Sequence, residues 1–377
     1  MLLDENRAQH PDPSAPGDGG VMGIVSADVC VLGLGPAGAS AAAEAARRGC
    51  RVLAVDRKRE AGRPVQCAEF VPSMIGVDVG NLTGSVQQRI RAMTTFVEER
   101  APDIKENFPG QMLDRRAFDA ALVAAAERAG AHCRLGVGVR RITAAGGVEL
   151  SSGEVVAAGV IVGADGPRSL AGRAIGQVNT ELVVTRQITV ALRQPHEATD
   201  IFLSADIPGG YGWLFPKGEV ANLGAGVDPA HRARLRHIIR RLHKALVESG
   251  RVGREVLGLT GGLIPVGGMR TPWSLLDGTL VLLAGDAAGL TNPVTGAGIA
   301  AAVQSGKLAG QTAAAWIAGD RSAGADYEDE LESVFKAALD RALRRRRELA
   351  RALAAGVRPN ESALRRGWIA YPEYWAA

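Results

Sequence analysis

Asp28-Val-Cys-Val-Leu-Gly-Leu-Gly-Pro-Ala-Gly-Ala-Ser40 reads as a buried strand that turns through glycines into an alanine-rich helix. It carries Gly33-x-Gly35-x-x-Gly38, and the next strand-like run, Arg51-Val-Leu-Ala-Val-Asp56, ends on an acid. Each residue type has a physical task in that order. Gly33 permits a tight turn, Gly35 lets the backbone approach a pyrophosphate, and Gly38 lets helix and strand pack closely. A pyrophosphate would sit on the helix N-terminus, where unpaired N–H groups and the helix dipole favour anions. Asp56 is placed to accept hydrogen bonds from ribose hydroxyls. Strand, turn, helix, strand and acid in sequence point to a bound dinucleotide, where a lone glycine motif would not.

Two later segments extend the pattern. Gly159-Val-Ile-Val-Gly-Ala-Asp-Gly-Pro-Arg-Ser169 reads as a buried strand ending in Asp165-Gly166. Thr279-Leu-Val-Leu-Leu-Ala-Gly-Asp-Ala-Ala-Gly289 is another, ending in Gly285-Asp286 and leading into a long helix rich in small residues. A nicotinamide-binding Rossmann domain needs neither.

The rest of the chain fits a soluble enzyme. At 377 residues it is long enough for one compound domain or two. The net charge of +4 is too small to imply nucleic acid, and no basic stretch is interleaved with aromatics. Cys30, Cys50, Cys67 and Cys133 form no CxxC pair, and the sequence shows no secretory signal, so reduced cytoplasmic thiols are expected. Residues 1–23 are rich in Pro, Gly and Asp without an apolar core, which predicts a disordered tail, with Met22 as an alternative start. No run of 18 apolar residues occurs. His132, His231, His237 and His243 have no metal-ligand spacing, so no metal is expected.

Helical patterns fall at about 36–48, 115–130, 229–249, 295–318 and 325–355. Strand patterns fall at about 26–33, 51–56, 132–141, 147–150, 154–163, 181–193, 200–204, 211–215, 219–226 and 279–284. The predicted class is α/β, α+β overall. A Rossmann-type domain formed by 24–180 and 266–320 is interrupted by a mostly antiparallel sheet domain over 181–265, and a helical segment follows over 321–377.

Taken together, GxGxxG, the Gly-Ala-Asp-Gly turn and the Gly-Asp-Ala strand end resemble the para-hydroxybenzoate-hydroxylase superfamily of FAD enzymes over about residues 26–320. Two further segments, Arg63-Pro-Val-Gln-Cys67-Ala68 and Pro208-Gly-Gly-Tyr211-Gly-Trp213-Leu-Phe215-Pro216-Lys217-Gly218, narrow the likeness. The Tyr-x-Trp-x-Phe-Pro pattern is similar to that of the geranylgeranyl reductase family. That family usually has a glycine shortly after its cysteine turn, where this chain has Glu69-Phe70, so a different local backbone path is expected.

The resemblance implies an FAD site residue by residue. Gly33, Gly35, Ala37 and Gly38 would hold the pyrophosphate, Asp56 the ribose and Val139 the adenine. Arg115 would reach the phosphates or ribityl chain, Asp286 would accept a ribityl hydroxyl, and Gly298 and Ile299 would present N–H groups to the flavin pyrimidine edge. A helix N-terminus there favours the negative charge of reduced flavin. Cys67 and Ala68 would lie near the flavin ring, and Asp165 would border the cofactor in an architectural role.

Some residues read two ways. Cys67 is either a packing or tuning residue beside the ring or, less simply, a proton donor. Arg115 is otherwise a solvated first-turn residue. Tyr211, Trp213 and Phe215 alternate with period two and share a strand face, which suits either sheet-core packing or, preferred here, the wall of an apolar substrate pocket. The basic runs His231–Lys244 and Arg344–Arg347 read as solvated faces, or else as peripheral attraction to anionic lipid or a prenyl diphosphate.

The expected activity is hydride delivery from N5 of reduced flavin to a carbon–carbon double bond of an apolar, isoprenoid-type substrate. NAD(P)H or another reductant would supply the electrons. Two alternatives stay open: an oxygen-using aromatic hydroxylase or halogenase of the same fold, and a flavoprotein that passes electrons to a partner protein without an organic substrate. A halogenase would show Trp-x-Trp-x-Ile-Pro, which Tyr211–Pro216 matches in part.

Overall fold

A computed structural model describes residues 23–73 and 83–376. The tail expected over 1–23 lies outside the described residues except for Gly23. The chain begins with β1 (Ile24–Leu32), α1 (Pro36–Arg47) and β2 (Val52–Asp56). Short strands follow: β3 (Phe70–Pro72), β4 (Val86–Ile90), β5 (Ala92–Val97), β6 (Asp103–Lys105) and β7 (Gly110–Leu113), then α2 (Arg115–Arg128). Next come β8 (His132–Leu135), β9 (Val139–Ile142), β10 (Val148–Leu150), β11 (Val155–Gly163) and α3 (Leu170–Ala174). The middle of the chain forms β12 (Leu182–Leu192), β13 (Ala198–Leu203), β14 (Gly212–Lys217), β15 (Val220–Val227), α4 (Leu235–Glu248) and β16 (Val252–Pro265). It ends with β17 (Trp273–Leu276), β18 (Thr279–Leu283), α5 (Ile299–Ile317), α6 (Ala323–Leu331), α7 (Ala337–Ala354), α8 (Glu361–Arg366) and α9 (Pro372–Trp375).

The first sheet runs β17-β18-β11-β1-β2-β8, with β10 and β9 joined to the side of β11. Strands β18, β11, β1, β2 and β8 are mutually parallel. A parallel sheet is covered on both faces, which is why the central strands are continuous apolar runs with no alternation. Val29 to Leu32 and Val160 to Val162 are almost wholly buried. The carboxyl ends of β1, β2, β11 and β18 therefore share one edge, the usual location of ligand sites in such sheets.

The second sheet runs β16-β12-β15-β14-β13-β5-β6 and is antiparallel except where β13 meets β5. Its last two strands, 92–105, come from the stretch the sequence placed in the dinucleotide domain. The two lobes thus exchange chain early as well as late. A small third sheet, β3-β7-β4, joins the two lobes. The alternation at 211–215 is real: Leu214 and Gly212 face α4, while Trp213 and Phe215 face a separate cluster with Met93, Ile201 and Trp368.

Several boundaries differ from the sequence expectation for identifiable reasons. The run 132–141 is two strands, broken at Gly136, which has φ 81°. Helix 229–249 begins as a 3-10 turn (Pro229–Arg234), and 325–355 is interrupted by a π turn at Glu332–Lys336. The third sheet and β16 carry weak strand signals. β3, β6 and β7 have only three or four residues each, and β16 is an edge strand interrupted by Gly258, Gly261 and Gly262.

Helix α5 lies directly on α1. A Cβ at Gly306 would stand 2.1 Å from the Ala37 carbonyl oxygen, and one at Gly310 would stand 2.5 Å from that of Ala41. Backbone cannot yield as a side-chain tip can. Gly306→Ala is therefore expected to destabilise the protein by about 1–3 kcal/mol through overpacking. Urea unfolding checks this; an unchanged midpoint would mean the helices separate without cost.

Candidate functional site

The glycine turn between β1 and α1 is shaped by contacts that only glycine permits. Gly33 has φ 94°, and a Cβ there would meet the Ala164 carbonyl oxygen at 2.4 Å; one at Gly38 would meet the Gly33 carbonyl oxygen at 1.8 Å. Gly35 is different. Its φ is an ordinary −73°, and a Cβ on it would meet no described protein atom within 4 Å. The need for glycine at 35 thus does not come from the protein itself. Helix α1 has no side-chain N-cap, and the buried Ser40 hydroxyl in its first turns has no partner among the described residues. Uncapped N–H groups facing open space fit the pyrophosphate of a dinucleotide such as FAD.

Asp56, at the end of β2, accepts the Leu34 N–H at 2.8 Å and the Lys58 N–H at 2.8 Å, which braces the glycine turn. A carboxylate has acceptor capacity beyond two bonds, so ribose hydroxyls remain compatible with this bracing. Val139 opens β9, half-buried against the main core. Asp165 braces the turn that follows β11. Its carboxylate accepts the Ser169 hydroxyl at 2.5 Å and the Leu170 N–H at 2.6 Å, capping the short α3.

Asp286 follows β18 in a 3-10 turn, half-buried, and accepts the Thr291 hydroxyl at 2.6 Å. Burial pushes its carboxyl above the ordinary range, while Thr291 and the Arg115 cation pull the other way. Gly298 caps α5 without a side-chain bond; a Cβ there would meet the Thr291 hydroxyl at 2.8 Å and an Asp286 carboxylate oxygen at 3.4 Å. The α5 N-terminus and Asp286 are therefore adjacent.

Arg115 is half-buried, its side chain 15% exposed, rather than freely solvated. It forms a paired contact with Asp119 at 2.9 and 3.0 Å and also reaches the Cys67 thiol. Burial alone would lower its pKa, but Asp119 and Cys67 outweigh that and keep it charged. Cys67 accepts the Glu69 N–H at 3.2 Å and lies beside the Arg115 cation.

The turn that carries Cys67 is held from the second sheet. Gln187 on β12 donates to the Cys67 carbonyl at 3.2 Å, and Asn222 on β15 donates to the Ala68 carbonyl at 3.3 Å. Glu69 has φ 69°, the left-handed region that favours glycine, and is 4% exposed. The backbone here thus takes a conformation that glycine adopts more readily than glutamate. The side chain compensates: its carboxylate accepts Lys217 Nζ at 2.8 Å, Asn222 Nδ2 at 3.0 Å and the Arg115 N–H at 3.1 Å.

The aromatic face divides. Tyr211 donates its hydroxyl to the Thr295 carbonyl at 2.6 Å and packs at a tilt against Trp368, with centroids 4.8 Å apart. Burial, then the nearby Cys67, raise its pKa, so it stays a donor. Trp213 and Phe215 are buried within the sheet-lobe core and are not among the residues that line the two cavities flanking the loop into α5. The Trp213 indole donates to Gln187 Oε1 at 3.0 Å, and Phe215 packs on Phe70 with centroids 5.6 Å apart. An indole N–H in a core needs an acceptor, and here Gln187 passes that bond on to Cys67.

Two cavities flank the loop that leads into α5. One of about 270 Å³ is lined by Tyr211, Val294, Trp368, Leu349, Leu353 and Arg346. The other, about 450 Å³, lies against Phe70, Gly298, Ile299 and the π turn at Val334 and Phe335. Sequence reasoning missed Gln187, Asn222 and Lys217 because single polar residues in strands carry no local signal. It missed Trp368 because that residue comes from the far C-terminal segment. Among the described residues no cluster of His, Cys, Asp and Glu could hold a metal, and no helix is long and apolar enough to cross a membrane.

Two substitutions separate holding the fold from holding a ligand. Gly35→Val should leave unfolding of the FAD-free protein nearly unchanged but weaken FAD binding about tenfold or more, read by flavin fluorescence titration. Lys217→Met should cost about 3 kcal/mol in thermal or urea unfolding, because it strands the Glu69 carboxylate in the interior. An unaltered stability would show that Asn222 and Arg115 suffice for that charge.

The family model for the geranylgeranyl reductase catalytic domain matches residues 182–264. A digeranylgeranylglycerophospholipid reductase of Methanopyrus kandleri is 34% identical over 83% of this chain and 85% of its own length. The crystal structure of a geranylgeranyl bacteriochlorophyll reductase-like protein from Thermoplasma acidophilum superimposes with a TM-score of 0.79 at 26% identity, covering 91% of this chain and 90% of that one. A myxobacterial FAD-dependent halogenase shares the fold alone, at 21% identity and TM-score 0.66 over 90% of this chain and 86% of its own. The chain belongs to the geranylgeranyl reductase family and is an FAD-dependent oxidoreductase.

Proposed function

We propose that this protein reduces carbon–carbon double bonds of a prenyl chain that binds in the apolar cavity beside Tyr211. The observation that carries the proposal is the Tyr211–Thr295 hydrogen bond. It ties the cavity wall to the loop that leads to the α5 N-terminus, so an apolar chain and a flavin would meet there. The Methanopyrus relative, a digeranylgeranylglycerophospholipid reductase by name, supports the same reading.

FAD, when bound, supplies a two-electron carrier able to give hydride to an alkene. In this reading Gly33, Gly35, Ala37 and Gly38 hold its pyrophosphate, Asp56 its ribose and Val139 its adenine. Arg115 and Asp286 serve the ribityl chain, and Gly298 and Ile299 offer N–H groups to the pyrimidine edge. Half-buried Arg115 adds a fixed cation to the positive end of α5, and both favour negative charge on the cofactor. Cys67 accepts the Glu69 N–H and orients and packs the turn; the proton for the second carbon comes from water. Tyr211 and Trp368 form the wall that aligns the chain and excludes bulk water. NAD(P)H or a small electron carrier provides the electrons from outside, since no second glycine fingerprint is present in the sequence.

The test is anaerobic incubation of chemically reduced holoenzyme with geranylgeranyl diphosphate, following product mass and flavin colour together. Gain of hydrogen in pairs, with the yellow colour returning, is expected. A substrate recovered unchanged, with the colour returning only when air enters, would instead favour the oxygen-using reading.

A further inference from the structure

Helix α7 scatters the run Arg344–Arg347 over its circumference, as 3.6 residues per turn requires. Arg344 is exposed. Arg345 is buried, donating to the Tyr374 and Ala376 carbonyls and pairing with Glu348 at 3.1 Å, which pins the C-terminal segment. Arg347 reaches Glu181 at the surface at 2.5 Å. Arg346 has a different setting. It lines the 270 Å³ cavity and donates from Nη1 to the Gly209 carbonyl at 2.9 Å.

That is its only protein acceptor among the described residues, and none of its guanidinium nitrogens pairs with a carboxylate. Burial pulls its pKa down, against Asp228 and Glu181. Neither acid bonds to it: Glu181 is engaged by Arg347, and Asp228 caps the 3-10 turn through the Ala230 N–H at 2.9 Å. Asp228 and His231 line the same cavity, so the polar groups gather at one part of an otherwise apolar space. A half-buried guanidinium with unfilled donors in apolar surroundings suits an anion with several oxygens, and phosphate matches its planar fork.

We propose that Arg346 seats the phosphate of the substrate, with the hydrocarbon running along Leu349 and Leu353 and reaching Tyr211 and Val294. The cavity then selects prenyl chains that carry a phosphate over the corresponding free alcohols. This rests on the prenyl-reductase reading above and adds which end of the substrate is recognised, and by what.

The test is equilibrium binding to oxidised holoenzyme by calorimetry, with no turnover involved. Three probes are used: geranylgeranyl diphosphate, geranylgeraniol and inorganic pyrophosphate. Wild type is expected to bind the diphosphate about tenfold or more tightly than the alcohol. Arg346→Gln should erase that preference, Arg346→Lys should keep part of it, and pyrophosphate should compete with the diphosphate only where the cation remains. A melting curve identifies any variant that fails to fold, and Arg346→Lys then carries the comparison. Equal affinities in wild type, or a preference unaltered in folded Arg346→Gln, would overturn the seat. An Arg346-dependent preference without any reduction would sink the reductase reading and leave the seat standing. Reduction of alcohol and diphosphate at equal affinity would do the reverse.

Discussion

The contact between α1 and α5 sets the geometry on which the cofactor region depends. Gly306 opposes Ala37 and Gly310 opposes Ala41, so the two helices run parallel in a constant register. In that register Pro36, the first residue of α1, lies opposite Ser305, six residues inside α5, which begins at Ile299. The α5 N-terminus therefore extends about 9 Å beyond that of α1 at 1.5 Å per residue. Two positive helix ends, staggered in the same direction, match a dinucleotide that places its pyrophosphate on one and its electron-accepting ring against the other. A β-carbon at either glycine would push the helices apart and disturb both ends at once.

A second constraint couples this frame to the sheet lobe. The Cys67–Glu69 turn belongs to the dinucleotide lobe, yet its carbonyls and its buried carboxylate are bonded by Gln187, Lys217 and Asn222 from the second sheet. Left-handed backbone is disfavoured for glutamate, and three donors to its carboxylate are the compensation. Trp213 contributes at one remove through Gln187. The aromatic motif thus acts on the site in two ways, with Tyr211 as cavity wall and Trp213 as support for the cysteine turn.

Legibility in the sequence followed the range of the interactions. The glycine turn, Asp56, the Asp286 strand end and the start of α5 were readable because each is local: a strand, a turn and a helix end within a few residues. The exchange of β5 and β6 into the second sheet was not, because pairing of 92–97 with 198–203 is set by distant chain. Glu69 was visible as a departure from the family pattern, but its partners lie about 150 residues away, at Lys217 and Asn222. The four-arginine run looked uniform because charge was read along the sequence rather than around the helix, and the structure gives its members separate environments.

The family match and the fold likeness bear on different parts of the molecule. The catalytic-domain match covers 182–264, from β12 almost to the end of β16, and so falls on the sheet lobe. The halogenase shares the architecture across nine-tenths of this chain at 21% identity, where likeness reaches the fold only. A dinucleotide lobe of this kind serves many reactions, and the chemistry is chosen by what faces the cofactor. In the proposed reading those groups come from the sheet lobe and from the C-terminal helices that pack against it. Tyr211 comes from the former, Arg346 and Trp368 from the latter. The selecting surface is therefore assembled from segments more than 130 residues apart, such as Tyr211 and Arg346, which the Arg346–Gly209 hydrogen bond draws together.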